Sequence, residues 1–357
     1  MQFPGQGKPP VGIVFDSDMG SRIDSVLALA LLHGFDGKNE ARLVTLSVTT
    51  PSLQAAAFCD AVRNFYAGAT NPAFRGFFRG LPVGLSGDGK APAETPLLEE
   101  PLARRNADGT PAYQHGIHKL NDTAEVTALI RNALTAQQDQ NAIVLLAGPA
   151  TNLAKVLELP GAKEWVARKV RLLCVAGGAF PQGPPEARMR ADVAAAKKLF
   201  AEWPTPVVAA GQEVGEALRY PASSIEKDFT WTPAHPVVDA YRAHQRMPYD
   251  APAGALAAAL HAVKPQEGYF RLSEAGMIAV LDDGQTRFTP SAAGKHRYLV
   301  VDPGQQERII KVYTELASAK PVPRQPRFRP PEQQKKQAPP EKPPEAKPPT
   351  RPGSAAC

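Results

Sequence analysis

Short aliphatic or β-branched runs alternate with longer segments whose apolar residues recur at three- and four-residue spacing, and that alternation leaves few folds open to the chain. The runs are VGIVF at 11–15, RLVTLSVT at 42–49, AIVLLA at 142–147, KVRLLCV at 169–175 and PVVAA at 206–210. Helical periodicity marks Ile23–Leu32, Ala55–Tyr66, Thr123–Ala136, Thr151–Leu157 and Val193–Ala201. Such βα units predict an α/β protein with an open, mainly parallel, Rossmann-like sheet flanked by helices. Near the end, MIAVLDDGQTRFTP places Asp283-Gly284 between alternating segments, predicting a small C-terminal antiparallel hairpin. In sheets of this class ligands sit beyond the carboxyl ends of the strands, so the chemistry belongs in the loops that leave them.

The boundaries follow from composition. Residues 1–10 read as a flexible start, 11–317 as the folded domain and 318–357 as a Pro/Lys-rich tail. From Lys320 onward the chain holds 12 of its 37 prolines and, after Val322, a single large apolar side chain, Phe328, too little to bury. The expectation there is a disordered, partly polyproline II extension. The tail also carries nine of the 41 Lys and Arg and three of the 35 Asp and Glu, so 32 of each remain and the net charge of +6 belongs to the tail. A formally neutral domain argues against a nucleic-acid partner. No apolar run approaches the roughly 20 residues of a membrane span, and MQFPGQGKPP lacks the layout of a secretory signal. The expectation is a soluble protein, cytoplasmic as written, or secreted if a signal precedes this start. Cys59, Cys174 and Cys357 are too scattered for a disulfide framework or a zinc site.

Directly after the first run comes DSDMGSRIDS, in which Asp16, Asp18 and Asp24 crowd one loop before VLALALLH begins a helix. Three close carboxylates suit a hard divalent cation or sugar hydroxyls. The plainer alternative is that Asp24 or Ser25 caps the helix and the others face solvent.

The segment resembles the signature of inosine/uridine-preferring nucleoside hydrolases, one branch of which reads roughly DTDMGNDxDDALALALLH. LLAGPATNLAKVL resembles that family's strand, Gly-rich loop and Thr-Asn helix start, and LLCVAGGAFPQGPPEARMRADVAAAKKLFAEWPTPVV its GGAF and EYNxxxDxxAA region. GYFRLSEAGMI and HRYLVVD resemble the end of the branch, so the motifs run in order from about Val11 to Ala317. The resemblance implies an N-ribohydrolase in which calcium holds the ribose diol and a water, an Asp takes the water's proton, and the glycosidic bond opens through an oxocarbenium-like state. It places Asp18 at the general-base and metal-ligand position, with Asp16 beside it as a further ligand and ribose contact. Asp24 falls at the first of the paired aspartates that contact ribose, and Ala147 offers its backbone carbonyl to the metal. Glu186 and Arg188 fall at the substrate-binding Glu-x-Asn.

The pattern breaks at named positions. Ser25 stands where the second paired aspartate ligates calcium, and Arg188 where an amide steadies the transition state. Ala255 stands at the last aspartate ligand, in MPYDAPAGALAAALHAV, unless a register shift puts Asp250 there. Arg22 lies between Asp18 and Asp24, at a position that is acidic in the related branch. Arg22 and Arg188 together would suit an anionic ligand such as a sugar phosphate, or simply neutralise Asp16, Asp18 or Glu186.

The expectation is therefore a nucleoside-hydrolase-family protein with reduced or no activity, calcium weakly held or absent, that binds a small polar ligand such as a nucleoside or ribose derivative, with a homo-oligomer left open. One alternative is a working hydrolase with altered ligands, in which His115 or His118 of YQHGIHKLND, after the second βα unit, protonates the leaving group or binds a metal. Another is a ligand-binding or tethering protein that uses its basic Pro-rich tail. His33 and His261, on apolar helix faces, read as structural.

Overall fold

The computed structural model describes residues 9–68, 81–87 and 95–322. The chain divides into Met1–Pro323 and Arg324–Cys357; the expected flexible start to residue 8 and the tail from residue 323 lie outside the described residues.

In chain order the first half runs β1 Val11–Ser17, α1 Ile23–Gly37, β2 Ala41–Val48, α2 Leu53–Gly68, β3 Val83–Leu85, α3 Pro96–Ala103, β4 Ala124–Glu125, α4 Val126–Thr135, β5 Ala142–Ala147, α5 Thr151–Leu157, α6 Ala162–Lys169 and β6 Val170–Ala176. It continues with α7 Ala187–Ala191, α8 Val193–Glu202, β7 Val207–Ala210, α9 Gln212–Ala217, β8 Arg219–Tyr220, α10 Ala222–Lys227, α11 Pro236–His244, β9 Ala251–Pro252 and α12 Gly254–Val263. Strands β10 Phe270–Leu272, β11 Gly276–Val280, β12 Thr286–Pro290 and β13 His296–Val301 precede α13 Gln306–Ala317.

Among the described residues the main sheet has the order β12-β11-β13-β7-β6-β5-β1-β2-β3-β4, with β10 on β13. From β13 through β7 to β4 it is parallel, and β11 pairs antiparallel with β12 and β13. The expected α/β architecture and C-terminal hairpin are both present; Gly284 takes φ +85° in the hairpin turn. Strands β1 and β5 are buried along their whole length, as their unbroken aliphatic runs require. Helix α1 is apolar on nearly every side and is enclosed by α11, α12 and α13. Alanine-rich α12 packs closely on it because most of its side chains end at Cβ.

The predicted helix at Thr123–Ala136 begins only at Val126, because Ala124–Glu125 pairs with β3 and Glu125 caps the helix by accepting from the amides of Thr127 and Ala128. His115 and His118 follow a third strand and α3, one βα unit later than the sequence pattern suggests. That third strand is three residues long and has no periodicity to betray it.

The chain leaves β1 toward β2, β3 and β4, then returns to lay β5 on the other side of β1 and continues to β6 and β7. The direction of winding reverses between β1 and β5, and in open α/β sheets the crevice beyond that reversal is where ligands bind.

Candidate functional site

Ser17 and Ala147 are register partners at the carboxyl ends of β1 and β5, and the Asp18 amide donates to the Ala147 carbonyl at 3.2 Å. The two loops approach this closely because residue 148 is glycine. A Cβ there would lie 2.6 Å from the Asp18 nitrogen. The reversal thus presents Asp16, Asp18 and Asp24 together, and all three are buried.

Asp16 lies deepest. Its Oδ1 accepts from Ser47 Oγ at 2.6 Å and from Asn152 Nδ2 at 2.8 Å, while Oδ2 is buried without a partner. Burial pushes its carboxyl up to about 7, Ser47 and Asn152 pull it down, and neighbouring Asp18 adds to the rise. Asp16 is thus the anchor of β1 to β2 and α5. The Thr-Asn start of α5 has a second use: Thr151 donates to Asp192 at 2.7 Å, and Asp192 caps α8 through the Ala195 amide.

The centre of the cluster is Arg188, 3% exposed, in the first turn of α7. Its Nε donates to Asp18 Oδ2 at 3.3 Å and its Nη2 to Asp24 Oδ1 at 2.9 Å. The same Nη2 reaches Ser25 Oγ at 3.0 Å and Asp18 Oδ1 at 3.5 Å. Nη1 reaches the Ala176 carbonyl at 3.3 Å and Asp24 Oδ2 at 3.5 Å. Burial works against the charge on Arg188, but Asp18, Asp24 and Glu186 outweigh it and hold the guanidinium more firmly protonated than an ordinary arginine. Ser25 Oγ faces Asp18 Oδ1 at 3.1 Å and the Ala147 carbonyl at 3.3 Å. Ala255, the second residue of α12, donates its amide to Asp24 Oδ2 at 3.0 Å. A carboxylate at a helix N-terminus meets both the free amides and the positive end of the helix dipole.

Of the residues singled out in the sequence, Asp18, Asp24, Ser25, Ala147, Arg188 and Ala255 meet here. Asp250 does not join them; its Oδ1 accepts from the Ala222 amide at the start of α10. Glu186 borders the cluster through Arg188 but is spent as a cap. Its Oε2 accepts from the amides of Arg188 at 2.9 Å, Met189 at 3.2 Å and Gly178 at 3.4 Å. Arg22 pairs with Glu186 Oε1 at 3.1 Å. Both arginines therefore face carboxylates, and the cluster is not the cationic pocket that a sugar phosphate would favour. Ser47 and the Ala176 carbonyl are participants that the sequence did not single out; a serine in a strand or a backbone carbonyl carries no signal of its own.

His115 lies elsewhere in its bonding. Its ring stacks obliquely on His118, centroids 4.9 Å apart, and burial followed by His118's proximity pushes it below the ordinary histidine range. The neighbouring Gly116 amide bonds Asp60 at 2.7 Å. His33 lies flat on Tyr66, centroids 4.4 Å apart, and His261 is buried with its ring edge-on to Phe270. Cys59 and Cys174 are buried free thiols.

The cluster does not suit calcium as it stands. Such an ion needs six to eight oxygens converging on one point, whereas the oxygens of Asp18, Asp24 and Ser25 converge on a guanidinium. Among the described residues no group of three His, Cys, Asp or Glu side chains is arranged to hold a metal, and no helix is long and apolar enough to cross a membrane.

Residues 13–317 match the family model of inosine-uridine preferring nucleoside hydrolases. Among solved structures, a plant nucleoside hydrolase superposes with a TM-score of 0.60 at 19% identity, covering 87% of this chain and all of its own. An inosine-uridine preferring nucleoside hydrolase from Bacillus anthracis superposes at 0.57 with 15% identity, covering 86% of this chain and 99% of its own. The type III effector XopQ, solved with adenosine diphosphate ribose, superposes at 0.61 with 13% identity over 88% of this chain and 96% of its own. At these identities the likeness is one of fold. No curated protein sequence matches the chain.

Proposed function

Because the chain belongs to the inosine-uridine preferring nucleoside hydrolase family, we propose that the Asp16–Asp18–Asp24 cluster is a ribose-recognition site whose N-ribohydrolase activity is reduced or lost. The family reaction needs a carboxylate to take a proton from water and an environment that tolerates positive charge on the opening ribose ring. Asp18 holds the base position. The observation that carries the reading is what surrounds it: Oδ2 accepts from Arg188 Nε, and Oδ1 from Arg188 Nη2 and Ser25. Its proton-accepting edges are thus turned to protein donors.

Arg188 opposes the chemistry a second time. A guanidinium beside an emerging oxocarbenium repels it, where an uncharged amide would not. Asp16 also ties β1 to β2 and α5 through its Oδ1, its Oδ2 having no partner among the described residues, and Glu186 caps α7. Groups that act as a unit in catalysis leave little rate when several are diverted.

A ribose-bearing ligand, nucleoside or nucleotide-sugar in class, is what the fold and its place at the strand reversal favour. XopQ, solved with adenosine diphosphate ribose, is consistent with that class. The test is hydrolysis of a nitrophenyl riboside and of inosine, uridine and adenosine, with and without calcium. The expected turnover is at least about a thousandfold below the ~10 per second of an ordinary enzyme. Turnover at ordinary rates overturns the proposal.

A further inference from the structure

Six acceptor atoms surround the Arg188 side chain: both oxygens of Asp18, both of Asp24, Ser25 Oγ and the Ala176 carbonyl. A guanidinium carries five N–H groups in a fixed plane, and here every nitrogen is engaged. This is a completed coordination sphere, built around a side chain.

We infer that Arg188 is the resident cation of the cluster, standing in the space that Asp18, Asp24, Ser25 and the Ala176 carbonyl frame, so that the folded protein holds its carboxylates together without a divalent ion. The inference deepens the reading of this cluster as the family's metal position, and it concerns binding and stability, not turnover.

Three residues make sense together on this account and separately do not. Arg188 brings one positive charge where calcium would bring two. Ser25 and Ala255 stand at positions where the resemblance expects carboxylates, so two negative charges are absent. Of the three aspartates that remain, Asp18 and Asp24 bond the one guanidinium, and the amide of Ala255 supplies a further donor to Asp24. Ser25 also fits sterically: its hydroxyl bridges Arg188 Nη2, Asp18 and the Ala147 carbonyl at 3.0 to 3.3 Å. A carboxylate in that place would add an uncompensated buried charge against the Ala147 carbonyl. The arginine's stem is buried too, so the plug cannot swing into solvent without opening α7.

The experiment is a calorimetric calcium titration of the full chain, with thermal unfolding in excess chelator and in millimolar calcium, repeated on Arg188→Asn and Arg188→Lys. The wild type should show no calcium heat and the same melting temperature, within about a degree, in both buffers. Arg188→Asn should melt lower in chelator and recover with calcium, binding the ion at least tenfold more tightly than the wild type. Arg188→Lys, which keeps the charge but loses the planar fork, should melt lower yet remain indifferent to calcium. Calcium binding or calcium-dependent melting by the wild type overturns the inference, and this arm decides even if Arg188→Asn cannot be recovered folded. So does an Arg188→Asn protein that melts like the wild type and ignores calcium. Because no arm measures hydrolysis, an unexpectedly active enzyme and a calcium-binding one remain distinguishable results.

Discussion

The Asp24 carboxylate, in the first turn of α1, accepts from the amide of Ala255 in the first turn of α12, 231 residues further along the chain. One side chain thereby joins two of the most deeply buried helices while its other oxygen takes the shortest contact of Arg188. Removing it breaks a helix cap and, in the same step, takes from the buried guanidinium one of the two carboxylates it bonds, leaving Asp18.

Asp24→Ala should therefore lower unfolding free energy by roughly 3–5 kcal/mol, the range for one partner deleted from a buried ion pair. Asp24→Asn keeps an acceptor for the Ala255 amide and should lose less. Urea denaturation of both decides; equal losses would mean that the cap contributes nothing.

Ala255→Asp restores a carboxylate at the expected ligand position, but there it faces Asp24 in a fully buried place. With Arg188 still present, we expect a loss of roughly 3 kcal/mol that added calcium does not repair. Denaturation with and without the ion checks both halves.

Gly148→Ala would put a methyl group 2.6 Å from the Asp18 nitrogen and 2.9 Å from the Ser17 carbonyl carbon. Neither is the end of a flexible side chain, so β1 and β5 must separate. The expected loss is roughly 3 kcal/mol, read by chemical denaturation. Gly304→Ala is the control; like Gly148 it does not take a positive φ, but its Cβ position meets only the Asp302 side chain, at 3.5 Å.

Arg22→Ala and Glu186→Ala should differ although they share an ion pair. Arg22 is 40% exposed, so its removal should cost under about 1 kcal/mol. Glu186 is buried and accepts three amides at the start of α7 and the end of β6, so its removal should cost about 2 kcal/mol or more.

Acid should destabilise the protein through two buried histidines. Burial pushes His235 down to about 3 and His261 down to about 4. Both take up protons more readily when unfolded, so their contribution is complete above about pH 6.5 and is lost as pH falls toward 4 and then 3. His261→Leu, of similar volume, should flatten the fall of the urea midpoint between pH 6.5 and 4. An unchanged slope would remove His261 from this account.

The sheet was legible because β1, β2, β5, β6 and β7 are buried on both faces and read as aliphatic runs. Strands β3 and β4 were not, since three and two residues display no period. The site's parts were legible as residue types in named loops; their arrangement was not. Asp16, Asp18 and Asp24 lie within nine positions of one another, so their grouping is a local fact. That Arg188 reaches 170 positions back to Asp18, and that Arg22 turns to Glu186, depends on where α7 enters the sheet. Spacing along the chain holds no record of that. His115 shows the converse: its position in a polar loop suggested chemistry, and only the fold shows that its ring lies 4.9 Å from that of His118, with a buried Nδ1 that has no hydrogen-bond partner among the described residues.

Hydrogen bonds of the cluster span 122 positions from Ser25 to Ala147, 164 from Asp24 to Arg188 and 231 from Asp24 to Ala255. A chain emerging from synthesis makes Asp18 and Asp24 long before it makes Arg188, and Arg188 before Ala255. During that interval the carboxylates have no internal cation and stay in water, so the β1–α1 loop cannot bury early. Domains assembled from such distant pairings fold slowly and late. Closure of this loop therefore marks the moment when the last third of the chain has docked, and a ribosome-released fragment ending before α12 would lack the cap that secures it.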